Sequence, residues 1–256
     1  MTKAKGAQLA LGLQAPKTRG GKRKGAGRKP SRSGTWVAHM PRPWHDRTQP
    51  VHVTLRVARG VPNLRGYKLA KVIGKGLRHA SQANRARQVA RRRTFRVVHF
   101  SIQPNHLHLI VEATSKTALA RGMQGLASGL ARRVNHELGR RGSLFADRYH
   151  GHALTGPREV RNAIVYVIKN FEKHPVAIPD RATVPRDGVD PCSSAPWFSG
   201  WAIAPPAPAA LPPVAEPQTW LLRAGWRLRR GPIQRHERPA ATELSLAAHA
   251  RARAAA

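Results

Sequence analysis

Two histidines stand one residue apart in the stretch Gln103-Pro-Asn-His-Leu-His-Leu-Ile-Val-Glu112. Side chains alternate along a strand, so His106 and His108 leave one face while Leu107, Leu109 and Val111 leave the other. Two imidazoles on one face make either half of a divalent-metal site or the wet side of a sheet. A second polar group lies downstream. At about 100° per residue, the apolar stripe of the helix after Pro157 centres near Phe171, and Tyr166 falls about 140° from it. Asn162, Tyr166 and Asn170 follow at four-residue steps, a polar ridge beside Glu159. An aromatic residue that avoids its own helix's core stripe either packs under another segment or does chemistry. Imidazole, amide oxygen and phosphate oxygen are all ligands for a cation such as Mg²⁺ or Mn²⁺. A tyrosine hydroxyl can attack phosphorus and stay attached as an ester, with the metal polarising the phosphate and holding it in line.

Several elements must position these groups. Val51-His-Val-Thr-Leu-Arg-Val57 alternates strictly and predicts a half-buried strand, with Val51, Val53, Leu55 and Val57 inward and His52, Thr54 and Arg56 on the opposite face. Residues 66–80 predict a helix with Leu69, Val72, Ile73 and Leu77 on one stripe. Residues 95–102 form a second strand. Gln103-Pro-Asn105 is a turn, since Pro cannot donate to a ladder and Asn tolerates turn geometry, so the histidine strand, 106–113, runs antiparallel to its predecessor. Thr114 or Ser115 caps a helix marked by Leu119, Met123, Leu126, Leu130, Val134 and Leu138. Residues 144–154 read as a fourth, more polar strand, and Pro157 opens a last helix reaching about residue 174. The first six elements follow the ferredoxin-like split βαβ pattern, an α+β fold with an antiparallel sheet and helices on one face.

Composition narrows the partners. Lys and Arg number 46 against 12 Asp and Glu, a net charge of +34 in 256 residues. Such a chain repels itself unless it meets a polyanion, and nucleic acid is the default. Residues 1–48 hold twelve Lys/Arg and one acid, Asp46. This arm is too rich in Gly and charge to pack and reads as disordered when free. Arg91 and Arg92, in the basic run 85–93, together with Arg132 and Arg133, are candidate phosphate contacts; His52 and Arg56 either touch phosphate or form a solvated face. The single Cys192 excludes a disulfide framework and a cysteine-based zinc site within a monomer. No run of 18 apolar residues predicts a membrane span, and no apolar leader is seen, so the expectation is a cytoplasmic, nucleoid-associated protein. Residues 49–178 make the one core domain. Residues 179–256 are a Pro/Ala-rich extension, partly disordered, with an ordered aromatic loop at 190–201 and a short helix within 219–229. Too few acids are present for a carboxylate-only two-metal site.

Over roughly residues 50–175 the sequence resembles the HUH-type single-tyrosine transposases, especially the REP-associated tyrosine transposases. The resemblance is carried by Val51-His-Val-Thr54, the Pro-Asn-His-Leu-His turn and strand ending at Val111, the segment Ser143-Leu-Phe-Ala-Asp-Arg-Tyr-His150, and Tyr166-Val-Ile-Lys-Asn170. It implies a ferredoxin-like fold, His106, His108 and Asn170 as ligands of Mg²⁺ or Mn²⁺, and Tyr166 as the nucleophile. Tyr149 is the rival nucleophile and reads as structural or DNA-stacking; Arg148 beside it is a further DNA contact. The implied substrate is single-stranded DNA beside a hairpin, cut to leave a 5′-phosphotyrosine and a free 3′-OH. The implied assembly is a monomer or homodimer. Where relatives continue with Pro and a small basic motif, this chain has Asn170-Phe-Glu-Lys-His174. A non-catalytic hairpin-binding relative is the alternative. A relaxase ranks lower, because relaxases carry three histidines and longer chains.

Overall fold

The computed structural model describes residues 44–82, 94–172, 189–206 and 208–238. Strand β1 (Val51–Arg56) leads into helix α1 (Tyr67–Gln82), then β2 (Phe95–Ile102), β3 (His106–Ala113), α2 (Lys116–Glu137), β4 (His150–Ala153) and α3 (Pro157–Ile168). A short helix, α4 (Trp220–Arg223), follows among 3₁₀ turns. The sheet order is β2-β3-β1-β4, and β1–β3, β1–β4 and β2–β3 all pair antiparallel. The β1–α1–β2 unit therefore spans β3, and β3–α2–β4 spans β1, which is the ferredoxin-like arrangement expected from the element order.

Each face of the sheet buries its own core. On one face Val51, Val53, Leu55, Leu107, Leu109 and Val111 pack against Ile73 and Leu77 of α1 and Met123, Leu126, Leu130 and Val134 of α2. The alternating pattern of β1 and β3 forces this, since every second residue is apolar and must leave water. The two helices approach closely. A Cβ on Gly76 would lie 2.7 Å from a Leu130 methyl, and one on Gly122 would lie 2.1 Å from Phe95. Ser115 caps α2 by accepting the Ala118 N–H at 3.1 Å.

Helix α3 covers the opposite face. Val160, Ala163, Ile164 and Val167 pack with Val98 and Ile110 of the sheet and with Phe198, Trp201 and Trp226 from the C-terminal segment. That segment also closes the open edge of β2: Cys192 accepts from Ile102 N at 2.8 Å, Ser194 N donates to Phe100 at 2.9 Å, and Ala215 N donates to Val97 at 2.9 Å. An edge strand with its ladder groups paired in this way cannot template another chain. The segment is tied down by a buried bidentate ion pair, Arg65 to Asp190, at 2.7 and 2.9 Å.

Two boundaries differ from the expectation. Helix α3 ends at Ile168, and Asn170–Glu172 continue as a 3₁₀ turn rather than as α-helix to residue 174. Only His150–Ala153 form β4; upstream, Phe145 makes an isolated bridge to Val57 and the chain then loops out. The intervening Ala146-Asp-Arg-Tyr149 has no apolar alternation to hold it in the ladder.

Candidate active site

The register of the sheet assembles the polar cluster. Thr54 of β1 is the direct cross-strand partner of His108, and Arg56 is the partner of His106. His52 stands opposite Ile110 on one side and His152 of β4 on the other. These side chains share the face covered by α3, and the helix presents Tyr166 to them. The Tyr166 ring meets His108 edge-on at 5.0 Å and His52 at 5.8 Å. Its hydroxyl lies 3.4 Å from His108 Nε2. The ridge read on α3 therefore points at the histidine strand within one chain.

The histidines converge. His106 Nε2 and His108 Nε2 are 2.9 Å apart, with the rings crossed at 87°. Behind them, His106 Nδ1 lies 2.7 Å from Asn105 Oδ1, and His108 Nδ1 lies 3.2 Å from Thr54 Oγ1. Nitrogens bound cis to one octahedral cation at about 2.1 Å stand roughly 3 Å apart. The observed Nε2 separation matches that spacing. Asn170 adds a second feature. Its side chain is fully buried next to the Tyr166 hydroxyl, and neither amide atom has a partner of good hydrogen-bond geometry. Among the described residues no three His, Cys, Asp or Glu side chains gather as a cation site. The two converging imidazoles are donors of a kind that Mg²⁺ or Mn²⁺ accepts.

Burial sets the protonation states. It pushes the Tyr166 phenol above its ordinary value, with the neighbouring Asn170 side chain pulling the other way, so the hydroxyl keeps its proton at neutral pH. Burial also drives His52 down to about 3, helped by His152, His150 and His106. His52 is only 5% exposed and stacks on His108 at 5.2 Å with the planes 22° apart. It lies buried beside His108 and Tyr166 rather than on a solvated face. At the rim, Glu159 accepts from His152 at 2.5 Å and from Thr155 N at 2.7 Å.

The remaining candidates separate by location. Arg56 is exposed at the end of β1 beside His106, and Arg148 is exposed in the loop entering β4. Arg132 and Arg133 are exposed on α2, in the helical layer on the other side of the sheet, and share nothing with Tyr166. Arg91 and Arg92 lie outside the described residues. Tyr149 packs into the core on the α1/α2 side, and Tyr67 opens α1 on that same side with Lys71 over its ring. Neither of these tyrosines faces the histidine pair. Asn105, expected only as a turn former, and Thr54, expected as a surface or phosphate-facing group, are the side chains whose roles sequence reasoning missed. Thr54 was detectable only through the β1–β3 register.

One antiparallel α+β domain thus sets a tyrosine against a converging histidine pair. The family model described as "Transposase IS200 like" matches residues 70–170. The match takes in β3 and α3, the elements that carry His106, His108 and Tyr166, so the chain is similar to that family over this part of its length. Among solved structures, the chain is similar to a REP-associated tyrosine transposase bound to a REP hairpin. That likeness has 13% identity and a TM-score of 0.41, and covers 54% of this chain and 74% of the other. No curated protein matches the chain. Among the described residues, no helix is long and apolar enough to cross a membrane.

Proposed function

We propose that this chain nicks and rejoins single-stranded DNA, beside a hairpin, through attack of Tyr166 on the scissile phosphate. The observation that carries the reading is the Tyr166 hydroxyl lying 3.4 Å from His108 Nε2, where His108 and His106 converge. In the reaction the Tyr166 Oη–P bond forms and the P–O3′ bond breaks. The phenolic proton is lost and the leaving oxygen gains one, so a 5′-phosphotyrosine and a 3′-OH result. Attack of a 3′-OH on the phosphotyrosine reverses the step without ATP, because the ester keeps the energy of the broken linkage. His106, His108 and Asn170 would hold Mg²⁺ or Mn²⁺, whose chemistry is to polarise the phosphate and stabilise its developing charge.

The chain's own residues do the rest. Helix α3, clamped between the sheet and the C-terminal aromatic cluster, fixes the nucleophile. His52 gives the site a dry floor. Arg56 and Arg148 offer guanidinium groups to the phosphates on either side of the cut. Tyr166 approaches His108 within one chain, which supports use of nucleophile and histidines by the same protomer.

The test uses end-labelled hairpin-flanked oligonucleotides with Mn²⁺, drawn from the DNA around the gene. Wild type yields a covalent adduct that survives denaturation, Tyr166→Phe yields none, and Tyr149→Phe retains it. An adduct that persists in Tyr166→Phe and disappears in Tyr149→Phe overturns the assignment. Binding of every hairpin without any adduct favours a non-catalytic hairpin-binding protein.

A further inference from the structure

We propose that Asn105 and Thr54 are positioning residues, which set the tautomer and ring angle of His106 and His108 so that both Nε2 atoms turn toward one point. The inference rests on the metal reading above and concerns the layer behind the ligands.

His106 Nδ1 lies 2.7 Å from Asn105 Oδ1, and this is a short contact. An amide oxygen only accepts, so His106 must carry its proton on Nδ1 and its lone pair on Nε2. Asn105 is in turn held by the fold. Its backbone carbonyl accepts Val57 N at 2.9 Å, and the carbonyl of Pro104 accepts Leu64 N at 2.9 Å. The turn is thus stitched to the end of β1 and to the loop before α1, and the amide reaches the ring that follows it.

Thr54 does the same for His108 from the neighbouring strand. It stands directly across the ladder, with Oγ1 at 3.2 Å from Nδ1. A hydroxyl accepts as well as donates. When it accepts from Nδ1–H, the lone pair of His108 also moves to Nε2. His52 stacked on the flat side of His108 blocks rotation of the ring away from this contact. Two oxygens on two different elements thereby stand behind the rings, and two Nε2 atoms face each other at 2.9 Å in front. At that separation a proton bridges the pair while no cation is present, His108 Nε2–H donating to the His106 lone pair as Thr54 donates to His108 Nδ1; a cation takes the place of that proton, and Thr54 then accepts. Such partners orient ligands and raise their basicity, and their loss costs about 10–100-fold in metal affinity.

The test has two readouts on the full chain. ¹⁵N chemical shifts of the imidazole nitrogens, recorded without metal at pH 8, report the tautomers. Electron paramagnetic resonance of free Mn²⁺ reports affinity. His106 is expected as the Nδ1–H tautomer in wild type and as Nε2–H in Asn105→Ala. Mn²⁺ affinity is expected to fall about 10–100-fold in Asn105→Ala and in Thr54→Val. Asn105→Asp and Thr54→Ser keep an acceptor oxygen and should restore most of it, which a general loss of folding would not allow. An Nε2–H His106 in wild type, or tautomer and affinity unchanged in both Asn105→Ala and Thr54→Val, overturns the proposal. Should wild type bind no Mn²⁺, the metal reading fails, and the tautomer change in Asn105→Ala alone decides the positioning role.

Discussion

In the proposed reaction Tyr166 enters as a neutral phenol. Its surroundings raise its pKa, so nothing in the resting site ionises it, and the proton leaves only as the bond to phosphorus forms. The two histidines are held in readiness by oxygens behind them rather than by charge, which suits a site that receives a polyanion. Not every buried imidazole here serves that purpose. His99 is 7% exposed, under Phe198 and 3.3 Å from the Ser194 hydroxyl, and burial lowers its pKa to about 4. In the unfolded chain it titrates near the ordinary value of about 6.5. Between those values the unfolded state holds a proton that the folded state lacks. Stability is therefore fully present above the unfolded pKa and falls as pH drops toward 4, by on the order of 1 kcal/mol per pH unit. Urea unfolding at pH 7 and pH 4.5 should show a smaller acid-induced loss in His99→Phe than in wild type, whatever the shift in baseline. An unchanged difference would mean that His99 titrates alike in the folded and unfolded chain.

At the scale of elements, α3 is held from two sides. Toward the sheet it packs on Ile110 and Val98. Away from it, Arg161 donates to Glu237 at 2.7 and 3.0 Å and to the carbonyl of Gly231 at 2.6 Å, while Trp226 fills the gap beneath. Lys169 donates to the carbonyl of Arg235, just past the helix end. The C-terminal segment is thus the back wall of the nucleophile's helix. Its anchor is Asp190, completely buried against Arg65, which is itself 3% exposed. Removing one partner of such a pair leaves an uncompensated charge, at a cost of about 3–5 kcal/mol. Asp190→Ala should lower the urea midpoint accordingly, and the double change Arg65→Met with Asp190→Leu should recover much of the loss. A single variant as stable as wild type would show that the segment is not anchored there.

The whole molecule carries a net charge of +34, with exposed Arg and Lys on both sides of the sheet. Arg56 and Arg148 lie at or near the rim of the candidate site. Arg132 and Arg133 look out from the opposite layer and cannot touch the same phosphates as Tyr166. Binding to single-stranded DNA should therefore depend steeply on salt. With about six phosphates neutralised, affinity falls roughly 10²-fold or more between about 50 and about 200 mM salt. Fluorescence anisotropy across that range checks this, and a flat response would refute a phosphate-dominated interface. Arg132→Ala with Arg133→Ala should reduce the salt slope without preventing formation of the Tyr166 adduct.

How far the chain could be read without coordinates depended on how local each feature is. Period-two alternation in residues 51–57 and 106–113, and the three-to-four spacing of α2, are imposed by backbone geometry, so they survive in one dimension. From them came the element order, the shared face of His106 and His108, and the ridge bearing Tyr166. The end of α3 at Ile168 was hidden, because 3₁₀ and α turns have nearly the same side-chain spacing over three residues. The burial of His52 was hidden too, since one polar face looks the same whether water or a helix lies over it. Pairing Thr54 with His108 required the register between strands 54 residues apart, and the partnership of Arg65 with Asp190 spans 125 residues. Periodicity and residue chemistry are properties of neighbours along the chain. Register, coverage of a face and the company kept by a buried charge arise only when distant segments pack, and tertiary packing settled them.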